Sequence, residues 1–251
     1  MSRLDPRLLL QGYAAGIFPM ADSRDASELF WVEPRSRAII PLEAFHLSRS
    51  LRRTIRSGRF TITTDRDFPA VICACADREE TWINSEIESA MLALHASGNA
   101  HSIEVWEGSQ LVGGLYGVKL GRAFFGESMF SRTTDASKVA LAWLVARLKV
   151  GGFVLLDCQF MTSHLASLGA VSISRKAYVS LLSGALGGGG AVSPVGVPEV
   201  VDSEGATVAA GAARSSAPDL LALDRLLEAT GAAGSPTAAG YVIAQLLGQT
   251  S

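Results

Sequence analysis

The chain has 251 residues, 48% apolar and 18% charged, with a formal net charge of −2. That length and balance suit a soluble globule with a substantial core and one main domain beside a smaller one, and no apolar run approaches the ~20 residues of a membrane span. Cys73, Cys75 and Cys158 are an odd set without metal-ligand spacing, so they read as reduced, buried thiols.

The start of the chain lacks the apolar core of a secretory signal, and the expected location is cytoplasmic. Residues 186–251 hold six acidic residues against Arg214 and Arg225, which leaves residues 1–185 mildly basic.

Leu4–Gly16 has apolar residues at Leu8, Leu9, Leu10, Tyr13 and Ala14, a helical pattern that Gly16 and Phe18-Pro19 end. Arg35 and Arg37 lead into the apolar Ala38–Pro41. Leu42–Ser57 reads as a helix with Arg49, Arg52, Arg53 and Arg56 at i, i+3, i+4 and i+7 on one face. Phe45, Leu51 and Ile55 lie toward the other side. No acid stands between Arg49 and Arg59. Such a stripe is either a solvated face or a polyanion surface, and the missing counter-charge favours the polyanion, because phosphate contacts release condensed counterions.

Phe60–Thr64 is a β-branched strand, and Asp67–Ala76 a buried helix with Asp65 or Asp67 as its cap. Ser85–Glu88 has the S-x-x-E form of a capping box, opening a helix that reaches His95 and stops at Gly98. Trp82, just before it, is either a staple on that helix or a ligand-facing ring.

A meander follows. His101–Trp106 is a strand, Glu107–Gly108 a turn, and Gln110–Val118 a longer strand holding Gly113, Gly114 and Gly117. Three glycines in a strand point to a bulge or a close backbone approach. Arg122–Phe125 closes the meander. Gly126–Arg132 then mixes a carboxylate, hydroxyls, large apolar groups and a guanidinium, which suits the rim of a pocket.

Thr134-Asp135 caps a helix from Ala136 to about Lys149. Phe153–Cys158 is a nearly continuous apolar strand, buried on both faces. A short helix (Ser163–Leu168), a short strand (Ser172–Ser174) and a closing helix (Arg175–Leu182) complete the domain. From Gly184 the chain becomes rich in Gly and Ala. Residues 186–251 are expected to be a disordered tail with short helices, a tether or a dispensable extension; its apolar stretches are Ala217–Thr230, where Leu220, Leu221, Leu223, Leu226 and Leu227 suit a marginal helix after Pro218, and Thr237–Leu247.

No Ser/His/Asp set, HExxH or Walker loop is visible. The informative acids are Glu127 and Asp157, the latter at the end of the buried strand. Strand alternation puts Asp157 and Gln159 on one face. An acid there is costly unless it is paired, caps the next helix or serves a ligand. Meander, helix, buried strand and helix follow the order of the GNAT-like N-acyltransferase fold, an α/β (α+β) architecture. The expected domains are 1–33 (small, N-terminal), 34–185 (GNAT-like) and 186–251 (tail). Coenzyme A members cradle pyrophosphate in R/Q-x-x-G-x-G/A; FGESMFSRTTDAS lacks that pattern, so acyl-coenzyme A is not the expected donor.

GIFPM (Gly16–Met20), HSIEVW (His101–Trp106), LVGG-x-YGV (Leu111–Val118), FGESMFSR (Phe125–Arg132) and DCQ (Asp157–Gln159) together resemble the bacterial leucyl/phenylalanyl-tRNA–protein transferases, from about Leu8 to Leu182. The resemblance implies that the α-amine of a protein with N-terminal Arg or Lys attacks the ester joining Leu, Phe or Met to the 3′ adenosine of tRNA. It implies no cofactor and no metal, and a role in the N-degron pathway. Asp157 and Gln159 would orient and deprotonate the amine. Glu127 would sit at the donor pocket, holding either the donor's ammonium or the acceptor's cation.

By the same resemblance Tyr13 and Met20 flank the adenosine, and Trp82 and Met91 face the donor. Phe124, Met129, Leu141, Leu144, Leu148 and Leu156 line the side-chain pocket, and Arg49, Arg52, Arg53 and Arg56 hold the acceptor arm. Family members often have aromatics at the positions of Met20 and Met91, and on the helix where this chain has leucines, which implies a roomier pocket here. A ligase with a different amine acceptor and a tRNA-binding module without activity are the alternatives.

Overall fold

Asp5 and Pro6 set the first element. The Asp5 carboxylate accepts from the Arg7 amide, proline occupies the first turn, and α1 runs Pro6–Ala14. Gly16 at φ +81° makes the left-handed exit. A hairpin of β1 (Phe18–Met20) and β2 (Phe30–Val32) follows, then β3 (Ser36–Ile39).

The computed structural model describes residues 4–187 and 217–248. The helix expected over Leu42–Ser57 is shorter: a 3-10 turn covers Leu42–Ala44, and α2 is Arg49–Arg56. Phe45 leaves the helical region and is buried as an anchor, and the Ser48 hydroxyl accepts from the Leu51 amide to start α2. β4 (Thr61–Thr64) and α3 (Phe68–Ala76), capped by Asp67, follow the pattern of the sequence. α4 is Ser85–Ala96, but the cap is Asn84, whose side chain accepts from the Ile87 amide; Ser85 is the first helical residue.

The meander is β5 (Ala100–Glu107), β6 (Gln110–Leu120) and β7 (Ala123–Ser131). Gly126–Ser131, expected to lie beyond the meander as a pocket rim, continues β7. α5 is Ala136–Val150, preceded by Asp135 at φ +67°, which gives no side-chain cap. β8 (Leu155–Gln159), α6 (Ser163–Ala166), β9 (Val171–Ser174) and α7 (Arg175–Ala185) follow. Seven strands form one sheet in the order β4-β5-β6-β7-β8-β3-β9, antiparallel except for β7 and β8, between which α5 crosses.

Alternation along the strands splits the core between the two faces. Leu115, Phe124 and Leu156 turn to the α5 face, while Tyr116, Phe125 and Leu155 join Leu9, Tyr13, Phe68, Met91 and Tyr178 on the other. The C-terminal stretch is not a loose tail where it is described. α8 (Ala222–Ala229) and α9 (Pro236–Leu246) bury Leu223, Leu227 and Ile243, with flanking Leu220 and Leu247, in the core on the α5 face. Arg147, 2% exposed, donates to both Asp224 carboxylate oxygens and to the Leu220 carbonyl. The Gly-rich residues 188–216, on which the expectation of disorder mainly falls, lie outside the described residues.

Candidate active site

β7 and β8 pair only where Ala123–Phe125 meets Leu155–Asp157. Beyond that they part. The register of β7 against β6 shifts so that Gly117 opposes Gly126 and Tyr116 opposes Ser128, leaving Glu127 as the extra residue of a bulge. On β8, Asp157 pairs with Ile39 and Gln159 with Ala38, leaving Cys158 as the extra residue, and Gln159 takes φ +61°. A Cβ at Gly117 would lie 2.3 Å from the Phe125 carbonyl oxygen, so the first bulge requires glycine there.

Two bulges that re-aim neighbouring strands open the sheet. A cavity of about 240 Å3 fills the gap. Leu115, Gly126–Met129, Leu156, Cys158 and Gln159 line it from the strands, and Trp82, Leu141 and Leu144 from the surroundings. Gln159 Nε2 donates to Glu127 Oε1 across it at 2.8 Å.

Glu127 is buried, and its Oε2 has no hydrogen-bond partner. Burial raises its pKa to about 8; the Asp157 charge adds to the rise, while Tyr13, Arg37 and Gln159 offset part of it. The Tyr13 hydroxyl lies close enough to favour the ionised acid but misses the geometry of a formed hydrogen bond. Tyr116, on the cavity wall, also has an unpartnered hydroxyl, and burial followed by the Glu127 charge pushes its pKa up. Unpaired buried polar atoms are rare in folded proteins and demand an explanation. Here the acid's own Oε2 and two tyrosine hydroxyls share one buried neighbourhood without hydrogen-bond partners among the described residues.

Asp157 has a different setting. It is fully buried and accepts from Arg37 Nε at 2.9 Å, Arg37 Nη2 at 2.6 Å, the Tyr178 hydroxyl at 3.0 Å and the Gln159 amide at 2.8 Å. Arg37, 1% exposed, also donates to the Gly16 carbonyl and lies 4.7 Å from the Phe18 ring and 4.5 Å from that of Tyr178. Burial opposes the Arg37 charge, but the hydrogen bonds and charge of Asp157 outweigh it and hold the pKa above its ordinary value. A buried ion pair persists when its remaining donors and acceptors are satisfied in this way. Asp157 does not line the cavity. It grips the backbone of Gln159, so the regular alternation expected for this pair breaks at Cys158.

Of the sequence-predicted residues, the cavity gathers Trp82, Glu127, Met129, Leu141, Leu144, Leu156 and Gln159. Phe124 and Leu148 are core residues on the α5 face, and Met91 is buried in the opposite cluster. Tyr13 is fully buried with its ring 4.8 Å from that of Phe125, so it has no open face for adenosine and offers its hydroxyl instead. Met20 is half-buried at the edge of that cluster.

Arg78, Tyr116, Phe160 and His164 also line the cavity and were not singled out from sequence. Arg78 donates to the Ser128 hydroxyl and the Met129 carbonyl. His164 leaves Nε2 unpartnered, and burial, helped by Lys138, lowers its pKa. Arg37 had a signal: a cation leading into a buried strand needs a partner. No cluster of three or more potential metal ligands occurs among the described residues.

On α2, Arg49, Arg53 and Arg56 are exposed and Arg52 is half-buried. None of the four forms an ion pair among the described residues. Arg59, just past the helix, is paired with Glu107.

Residues 39–183 match the leucyl/phenylalanyl-tRNA protein transferase family, and residues 2–35 match that family's N-terminal domain. The chain belongs to this family. A leucyl/phenylalanyl-tRNA–protein transferase of Rhizorhabdus wittichii is 55% identical over 265 aligned positions, covering all of both chains. One of Novosphingobium aromaticivorans is 52% identical over the same extent. Another, from Cereibacter sphaeroides, is 60% identical over 193 positions, 77% of this chain and 90% of its own length. Among solved structures, L-PGS from Bacillus licheniformis aligns at 13% identity and a TM-score of 0.37, over 60% of this chain and 51% of that one, too distant to speak to the fold. The splayed cavity of this transferase lies within the matched span.

Proposed function

We propose that the chain transfers an aminoacyl group from tRNA to the N-terminal amine of a protein, at the cavity between β7 and β8. The observation that carries this is Glu127, a buried acid with a pKa of about 8 in an apolar pocket. The cavity is smaller than the roughly 300–1,000 Å3 of a drug-sized ligand site, which fits a single Leu, Phe or Met side chain against Leu115, Leu141, Leu144, Leu156 and Met129. The parted strands beside an α5 crossover support a GNAT-like reading of the fold.

The reaction asks for little chemistry beyond placement and a proton acceptor. Ionised Glu127 takes one proton from the incoming α-ammonium, and the free amine attacks the ester carbonyl. The new C–N bond forms, the bond to the ribose oxygen breaks, and the second amine proton goes to that departing oxygen. The proton on Glu127 then leaves to water. Gln159, fixed through its amide by Asp157 and through its side chain by Glu127, orients the amine. In this reading Asp157 is a positioning residue.

Glu79 and Glu80 are exposed and stand in sequence between the cavity-lining Arg78 and Trp82; in this reading their charge suits an acceptor beginning with Arg or Lys. Exposed Arg49, Arg53 and Arg56 offer phosphate contacts to the tRNA. A cytoplasmic location fits such substrates, and among the described residues no helix is long and apolar enough to cross a membrane.

Labelled leucine on leucyl-tRNA, offered to two peptides that differ only in beginning with Arg or Ala, tests the reading. Label on the Arg peptide alone is the expected result. Equal labelling would overturn the acceptor assignment, and no labelling of either with tRNA still bound would favour a binding module.

A further inference from the structure

The C-terminal helix pair is not accounted for by the transferase domains. The family match ends at residue 183, and the Cereibacter relative spends 90% of its own length on 193 aligned positions. The helices nevertheless have a built seat. α9 packs along α2 so closely that a Cβ on Gly240 would lie 2.1 Å from the Ile55 carbonyl oxygen, and one on Gly58 2.2 Å from the Thr237 hydroxyl oxygen. α8 is tied to α5 through the two-pronged Arg147–Asp224 pair.

The seat brings an aromatic ring to the basic stripe. The Arg56 guanidinium lies 3.9 Å from the centroid of the Tyr241 ring, and Tyr241 remains 51% exposed. α9, PTAAGYVIAQL, carries no charged residue, so its docking adds no carboxylate to the stripe. A guanidinium lying over an aromatic face keeps its charge and its outward N–H groups while losing rotamer freedom. That loss is otherwise met when the side chain binds a phosphate.

We infer that α9 extends the tRNA surface of this chain, with Tyr241 holding Arg56 in place for the phosphate backbone of the bound tRNA. The inference rests on the reading of α2 as the tRNA helix and adds a residue from outside the family's two domains. Tyr241 is a positioning residue in this arrangement, and the contact it supports is electrostatic and indifferent to base sequence.

The test is tRNA binding by the full chain across a salt series, for Tyr241→Ala, Tyr241→Phe, Arg56→Gln and the Ala/Gln double variant, with thermal melts alongside. Tyr241→Ala should weaken binding about two- to fivefold, the size of one exposed cation–π contact. Tyr241→Phe, which keeps the ring, should bind as the parent does. Arg56→Gln should lower the salt slope by roughly 0.7–0.9, one phosphate contact, and adding Tyr241→Ala to it should cost nothing more. Parent-like binding by Tyr241→Ala, or fully additive losses in the double variant, would overturn the inference. A paired Arg49→Gln/Arg53→Gln variant separates the two levels: if it leaves the salt slope unchanged, the reading of α2 itself fails, and if only the Tyr241 effects are missing, that reading stands without α9.

Discussion

In the proposed reaction, Glu127 is where a single proton decides the chemistry. A carboxyl with a pKa of about 8 faces an α-ammonium whose ordinary value is ~7.7–8.0, the near-match that efficient proton transfer requires. kcat/KM should therefore climb with pH through about 8, and Glu127→Gln should lower it by on the order of 10²–10⁴. The same substitution should stabilise the fold. The folded pKa is raised above the unfolded one, so the parent loses stability as pH climbs from the ordinary glutamate range toward 8, whereas glutamine has nothing to ionise. Melts near pH 4 should coincide, and near pH 8 the variant should melt higher. Equal melting at both pH values with full activity would remove Glu127 from this role. The residue itself was legible in the sequence as the acid in Gly126–Arg132. Its place as the extra residue of a bulge was not, because register depends on the partner strand, and only the glycines at 113, 114 and 117 hinted at it.

At the scale of the element, β8 works as a carrier for Gln159. Its rigidity comes from Asp157 and Arg37, which lie 120 residues apart in sequence. The sequence showed an acid that needed a partner and a cation entering a buried strand, but nothing local joins the two. Asp157→Ala strands Arg37 without a counter-charge and should cost ~3–5 kcal/mol. Joint Arg37→Met and Asp157→Leu substitution removes both charges and should cost less than the single change, although Tyr178 and the Gln159 amide lose their acceptor. Transfer should fall in both, because the Gln159 amide loses the carboxylate that fixes the backbone there. Urea unfolding of the two variants decides the matter; a single variant as stable as the parent would show that the pair is not what fixes β8. The shortened α2 has a related explanation. Its arginine spacing was legible, but the competition between Ser48 capping and the burial of Phe45 is settled only by the core beneath.

Across the whole molecule, α8 and α9 change what the C-terminal stretch is. Leucine spacing pointed to the first helix and an apolar stretch to the second, yet the surrounding Gly- and Ala-rich chain gave no sign that they dock, because the residues that make docking possible are small ones. Gly240 is the clearest case. In an exposed helix, Gly→Ala stabilises by about 0.5–1 kcal/mol through backbone entropy and helix propensity. Here the added methyl meets the Ile55 carbonyl oxygen at 2.1 Å, and that oxygen belongs to the backbone of α2 rather than to a side chain that can swing aside. α9 must lift, loosening Ile243 and Leu247 from the core they share with Leu51 and Ile55. Gly240→Ala should therefore destabilise by about 1–3 kcal/mol, as overpacked cores do, and the sign alone is diagnostic. A rise in stability would mean that α9 stands off α2 in solution, whereas a fall ties the added helices to the arginine-bearing helix α2 through one backbone contact.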